Sequence, residues 1–413
     1  MSSAKEIKSK LLATGAQKNS VQFVDVHTHL FDPAMGKNLL WGIDELVTYH
    51  YLVAEVFRAR PDLKYDQFWK WSKRKQADVI WSELFVKRSP VSEACRGVLT
   101  VIQSLGLDPN VKSLGKIRKY FTAQNVRNYT DLVFKLAGVS RVYMTNDPLD
   151  EQERKCWQNG FKRDRRFLAA LRLDSSLMNW PDGVPSLRGL GYDVDHSLSG
   201  RTLSEIRRYL GHWIRKMDAR YMAISLPPSF RYPGEGLPLG DLLKKAVIPV
   251  ARKHGLPVAM MIGVKKLVNP GLRLAGDSVG RADLSSVENM ALEFGDVRFM
   301  VTTLSRENTH ELCVIARKFK NVLPFGCWWF LNNPELIREM TAMRIELLGL
   351  SFIPQHSDAR VLDQLIYKWK HSRAIIGDVL AGKYDDIIKS GRVVTETDIR
   401  RDLAILFGDA LIR

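Results

Sequence analysis

Val24-Asp25-Val26-His27-Thr28-His29 reads as a short β-strand in which β-branched and polar residues alternate, and Leu30-Phe31-Asp32-Pro33 supplies the turn that ends it. Side chains two apart on a strand point the same way, so His27 and His29 share a face and can both reach one divalent cation. On a helix the same pairing needs a spacing of three or four. The competing reading is two ordinary hydrogen-bonded polar residues. What lies further along the chain weighs for the metal.

Beyond this stretch, residues 38–130 look helical, with apolar residues at helical spacing over Trp41 to Arg60, Asp66 to Phe85 and Ser92 to Leu105. From about 138 the rhythm changes to short apolar runs separated by helical stretches. The runs are Val139 to Met144, Phe167 to Leu173, Tyr221 to Leu226, Pro257 to Ile262, Val297 to Thr302, Val322 to Phe325 and Ser351 to Ile353. With Phe23 to Val26 they make eight. Helices are expected between them, for example over Leu203 to Met217 and Leu242 to Lys253. The expected fold is an α/β (β/α)8 TIM barrel with a helical insertion after strand one and extra C-terminal helices. A doubly wound open sheet competes, but its Gly-x-Gly-x-x-Gly turn after the first strand is absent. The 413 residues divide into an N-terminal extension over 1–20, a barrel over 21–385 that includes the 38–130 insertion, and a helical tail over 386–413 packed on the barrel.

The formal net charge is +17 and 45% of residues are hydrophobic. Such a charge suits nucleic acid, an anionic membrane surface or small acidic substrates. Yet the basic residues are spread along the chain, and their densest clusters fall in helix-like segments. A solvated surface is the reading adopted, with neither nucleic acid nor membrane expected as a partner. The four cysteines are widely separated and form no Cys-x-x-Cys pair, so neither a disulfide framework nor a thiolate zinc site is indicated. No secretory signal and no membrane span are expected, which makes a cytoplasmic protein the default.

Barrel enzymes build their chemistry at the C-terminal ends of the strands. That rule selects His27 and His29, Thr145-Asn146-Asp147-Pro148, Arg172 and Asp174, Arg306, Gly326-Cys327-Trp328-Trp329-Phe330, and His356-Ser357-Asp358-Ala359-Arg360. Strands one and eight are neighbours in a closed barrel, so Asp358 can meet the two histidines. Two neutral imidazoles and a carboxylate form an open-sided site for a catalytic divalent ion.

An early His-x-His, a helical insertion, and a late Trp-Trp-Phe followed by Asp-x-Arg together resemble the uronate isomerase family of the amidohydrolase superfamily. The likeness runs over most of residues 21–385. It implies metal binding by His27, His29 and Asp358, with zinc first and manganese as the alternative. It implies catalytic roles for Asp358, Tyr51 and Arg360. Substrate contacts fall to Arg172, Arg360, Trp328, Trp329 and His50. The implied reaction interconverts aldose and ketose forms of a hexuronic acid by proton transfer between C1 and C2. The partners implied are a small acidic sugar and further copies of the same chain.

The sequence also departs from the family pattern. Met261 stands where members carry a strand-five histidine, Ser225-Leu226-Pro227 replaces a Ser-Asp-His, and Tyr367-Lys368-Trp369 replaces an Arg-His-Glu. His356, two residues before Asp358, is a candidate to compensate. The alternatives are a metal-dependent hydrolase or decarboxylase of a small acidic substrate, and a sugar-acid-binding relative without activity.

Overall fold

The computed structural model describes residues 21–234 and 238–408; the extension 1–20 and the last five residues lie outside them. Seven of the eight apolar runs are strands: β1 (Phe23–Thr28), β2 (Val139–Asn146), β3 (Phe167–Arg172), β4 (Met222–Leu226), β5 (Val258–Ile262), β6 (Phe299–Thr303) and β7 (Val322–Pro324). They form one parallel sheet in sequence order. Because consecutive strands are parallel, each connection must cross back, and helices fill the connections. Thr202–Met217 is typical: Ile206, Leu210, Trp213, Ile214 and Met217 line its buried side, and the left-handed Asp218 ends it. Burying each such side chain contributes roughly 1.5–3 kcal/mol.

Both faces of the sheet are covered. An inner cluster contains Val24, Val26, Tyr143, Tyr221, Met261 and Phe325, and the larger outer cluster packs alternate strand residues against helices. The register of β1 on β2 shifts twice, between Phe23 and Val24 and again between Asp25 and Thr28. Asp25 pairs with Val142 and Thr28 with Met144, so β1 advances three residues while β2 advances two. One extra residue is a β-bulge, which re-aims the side chains that follow it. Asp25 therefore meets the outer helix through Trp369. His27 meets the inner Phe325, with ring centroids 6.4 Å apart.

The eighth run, Ser351 to Ile353, is not a strand. Its only sheet pairing is an isolated bridge from Ile353 to Phe325. Pro354 has no N–H to continue a ladder, and Asp358 is left-handed with φ 54°. Residues 353–359 nevertheless span the gap between β7 and β1. On one side Ile353 N–H donates to Pro324 O (3.0 Å) and Gly326 N–H to Ile353 O (2.8 Å). On the other, Asp358 N–H donates to His27 O (3.2 Å) and His29 N–H to Ala359 O (2.7 Å).

Between β1 and β2 the chain is helical, from Ile43–Val47 through Val126–Ala137, apart from a single bridge between Leu40 and Val361. The long helix Gln364–Lys389 packs against this insertion. Gly97 permits the approach, since a Cβ there would lie 2.6 Å from the Tyr367 ring. The helix Glu396–Phe407 sets Phe407 against Phe23, centroids 4.6 Å apart.

Candidate active site at the strand C-terminal ends

His27 closes the inner face of β1 and His29 follows it, and both Nε2 atoms face Asp358 Oδ1, at 3.7 and 3.3 Å. One ligand atom from each of the three residues lies within 4.8 Å of the others. The far sides of the rings decide their tautomers. Tyr221 gives its hydroxyl proton to Val26 O (2.8 Å), so toward His27 Nδ1, 3.2 Å away, it can only accept. Thr145 gives its proton to Thr28 O (2.9 Å) and can only accept from His29 Nδ1 at 3.0 Å. Each imidazole is thereby held as the Nδ1–H form with the Nε2 lone pair turned toward Asp358.

Burial keeps both rings neutral: it pushes His27 down to about 3 and His29 well below its usual range, while it raises the Asp358 carboxyl. His27 Nε2 and Asp358 Oδ1 are buried without any hydrogen-bond partner. Leaving two such atoms unsatisfied is costly. Two lone pairs and a carboxylate oxygen turned toward one point are the donor set a divalent ion takes, so these residues fit the metal expected of them.

Asp358 is held in its left-handed conformation from behind. Ser357 N–H donates to Asp25 Oδ1 (3.0 Å), and the Trp369 indole donates to Asp25 Oδ2 (2.7 Å). Asp25 is fully buried, and its carboxyl is pushed up to about 6 by that burial.

Beside His29 opens a pocket of about 340 Å³ lined by Thr145, Glu153, Arg172 and Arg360. Arg172 is oriented by Asp174 through Nε (2.8 Å) and a second nitrogen (2.7 Å). Asp174 itself accepts from Ser225 N–H (2.7 Å). Arg360 forms no ion pair with a described residue. Glu153 accepts from the Asn146 amide and Asp147 N–H through one oxygen, at 3.1 and 2.9 Å. Burial pushes its carboxyl up to about 7.

His50 and Tyr51 open the helix His50–Ala59, and their rings are 4.5 Å apart. Trp329 stands edge-on to His50 at 5.4 Å, whereas Trp328 is buried in the inner cluster. Neither tryptophan is among the residues lining the 340 Å³ pocket. Both His50 nitrogens are buried without partners, and burial holds the ring neutral. Burial, with Tyr49 and Asp358 adding to it, holds the Tyr51 phenol far above its usual range.

Met261 packs in the inner cluster beside Tyr221. His356 is fully buried with its ring 5.2 Å from His27, wedged where a Cβ on Gly326 would overlap it. Arg306, at the end of β6, is drawn into a surface ion pair with Glu339 and does not join the site.

Three contributors escaped the sequence reading. Tyr221 stood among the apolar residues of a strand run, Asp25 read as a polar strand position, and Glu153 was not singled out. The signal for Asp25 was its charge in a strand otherwise buried on both faces.

No protein-family model matches the chain, and no curated protein does. Solved structures do. A uronate isomerase from Thermotoga maritima (16% identity, TM-score 0.75) covers 99% of this chain and 96% of its own. A glucuronate isomerase from Caulobacter crescentus (14%, 0.75) covers 98% and 92%. At those identities they support the fold alone. A uronate isomerase from Bacillus halodurans is 54% identical with a TM-score of 0.94, over 98% of this chain and 94% of that one. With that identity sustained along nearly the whole of both chains, this protein belongs to the uronate isomerase family, a family of aldose–ketose isomerases.

Proposed function

We propose that the protein interconverts the aldose and ketose forms of a hexuronic acid with a divalent ion held by His27, His29 and Asp358. The carrying observation is the pairing of that three-residue centre with a pocket where Arg172 and Arg360 both stand beside His29. The residues 353–359 serve as the eighth stave of the (β/α)8 ring, which is what brings Asp358 to the histidines.

When bound, the ion supplies electrophilic polarisation of the sugar oxygens at C1 and C2, lowering the barrier to the enediol. Zinc is the first expectation and manganese the alternative. Arg360, with no ion pair to a described residue, takes the substrate carboxylate as a guanidinium fork. Arg172, oriented by Asp174, narrows the place where that carboxylate sits. The Asp358 carboxylate accepts a proton from a substrate hydroxyl. Tyr51, kept protonated by burial, holds a substrate oxygen by donating a hydrogen bond to it. His50, neutral and set against Trp329, orients the sugar by donating a hydrogen bond from one ring nitrogen and accepting one at the other.

The test is incubation of metal-loaded protein with glucuronate and with galacturonate in deuterated water. Ketose appearing together with deuterium in the sugar is expected. Absence of both with either uronate rejects the proposal.

A further inference from the structure

The formal charge of +17 is not spread evenly over the fold. In a parallel sheet every entering turn reaches the same end of the molecule, opposite the candidate active site. The stretches that enter β2 to β7 (135–141, 162–166, 215–220, 252–257, 296–298 and 317–320) carry fifteen Lys and Arg against three Asp. Twelve of the chain's excess positive charges thus meet at one end. Every one of these stretches presents at least one exposed basic side chain: Lys135, Arg165, Arg220, Lys253, Arg298 and Lys320. At the opposite end the charges are mixed: the turn leaving β2 (147–153) holds four carboxylates and no Lys or Arg, while Arg172, Lys265, Lys266, Arg306 and Arg360 end or follow other strands.

Two ordinary causes account for only part of this. Basic residues in the last turn of a helix complement its negative end, which covers Lys135, Arg215, Lys216, Arg252, Lys253, Arg317 and Lys318. Lys162, Arg165, Arg220, Arg298 and Lys320 lie beyond the helix ends, outside that rule. Ion pairing neutralises some others, such as Arg220 with Asp218 and Arg252 with Asp296. Lys162, Arg165, Lys253 and Lys320 form no ion pair with any described residue. They leave a positive field that no described carboxylate pairs with, of the sort that captures a polyanion.

We propose that the end of the sheet where the strands begin is a docking surface for a nucleic-acid duplex, held through its phosphate backbone without regard to sequence. The six stretches carry one phenyl ring, the half-buried Phe319, and no fully exposed ring on which unpaired bases would stack, which favours a duplex backbone over a single strand. Nothing in this surface reads base edges, so affinity comes from counterion release. The pocket beside His29 lies at the far end of the strands, and a docked duplex leaves it open.

The experiment measures fluorescence anisotropy of a labelled RNA or DNA duplex of about 20 base pairs with the full chain, at about 50 to 200 mM salt. Micromolar binding that weakens steeply with salt is expected. The quadruple variant Lys162→Glu, Arg165→Glu, Lys253→Glu, Lys320→Glu should bind at least about 10-fold more weakly, with a log–log salt slope shallower by about 3 to 4. Its turnover of uronate should match the parent, and its thermal midpoint should fall only slightly, through Lys253→Glu at a helix C-terminus. A control variant of equal charge change, with Lys112, Lys116, Lys119 and Arg127 of the insertion replaced by Glu, should bind nearly as the parent does. Equal weakening in both variants would reduce the effect to net charge and overturn the proposal. So would no binding at the lowest salt, or capture by anionic phospholipid vesicles without binding of the duplex.

Discussion

Asp25 and Ser357 stand 332 positions apart and share a buried hydrogen bond, Ser357 N–H to Asp25 Oδ1 at 3.0 Å. Through it β1 holds the peptide that leads into Asp358, while the same carboxylate grips the Trp369 indole of the outer helix. Asp25 does not line the pocket beside His29. It acts by positioning Asp358.

Asp25→Asn keeps the size but offers one oxygen to two donors, and the new amide NH2 opposes either Ser357 N–H or the indole. We expect affinity for zinc or manganese to fall about 10–100-fold, the scale of lost outer-shell support. Adding Trp369→Phe removes the rival donor and should recover most of that loss. Metal titration of the single and double variants checks it. A single variant that binds metal like the parent, or a double no better than the single, defeats the positioning role.

Two hydroxyls, one behind each imidazole, hold the Nδ1–H tautomers. Tyr221→Phe and Thr145→Val each delete the hydroxyl that accepts from an imidazole Nδ1–H. Each should cost about 10–100-fold in metal affinity, with a larger loss for His27→Ala or His29→Ala. Metal content after dialysis against a graded chelator ranks them. Unchanged affinity in both hydroxyl variants would mean the rings are held in some other way.

Arg360 and Arg172 differ in their commitments, and lysine substitution should separate them. Arg360→Lys loses the fork but breaks no ion pair, so KM for a uronate should rise about 10–100-fold, the worth of a charged hydrogen bond, with an unchanged thermal midpoint. Arg172→Lys disturbs Asp174, which also holds Ser225 N–H, so its midpoint should fall as well. Steady-state kinetics beside thermal melts decide. Equal melts for the two variants would contradict the assignment.

Glu153 supplies the pH test. Its native carboxyl is raised from 4.5 to about 7 by burial. A carboxyl raised in the folded state binds more protons than the unfolded chain does between those values. Its contribution to stability is therefore present below about 4.5 and is lost as pH climbs toward 7. Glu153→Gln removes this titration, so the difference in thermal midpoint, variant minus parent, should grow in the variant's favour from pH 4.5 to 7. A flat difference across that window would show that Glu153 titrates normally.

Most strands were legible because their signal is local. A run such as Val258–Ile262, bounded by Pro257 and Gly263, reports its own conformation. The eighth run failed for an equally local reason, Pro354, which the apolar pattern of Ser351 to Ile353 masked. His27, His29 and Asp358 were legible because strand-end position follows from strand order. Arg306 shows the limit of that rule, since a neighbouring helix offered it Glu339.

By itself, the sequence determined the alternation of strands and helices, the helical insertion, and which residue types stand at strand ends. These follow from backbone periodicity and turn chemistry within about ten residues. Tertiary structure alone decided the bulge that turns Asp25 outward and His27 inward, the irregular segment that carries Asp358, and the hydroxyls that set both tautomers. It also decided that basic residues scattered along the chain meet at one end. Those features depend on hydrogen bonds and proximities between residues far apart in the chain, for which no local pattern carries a trace.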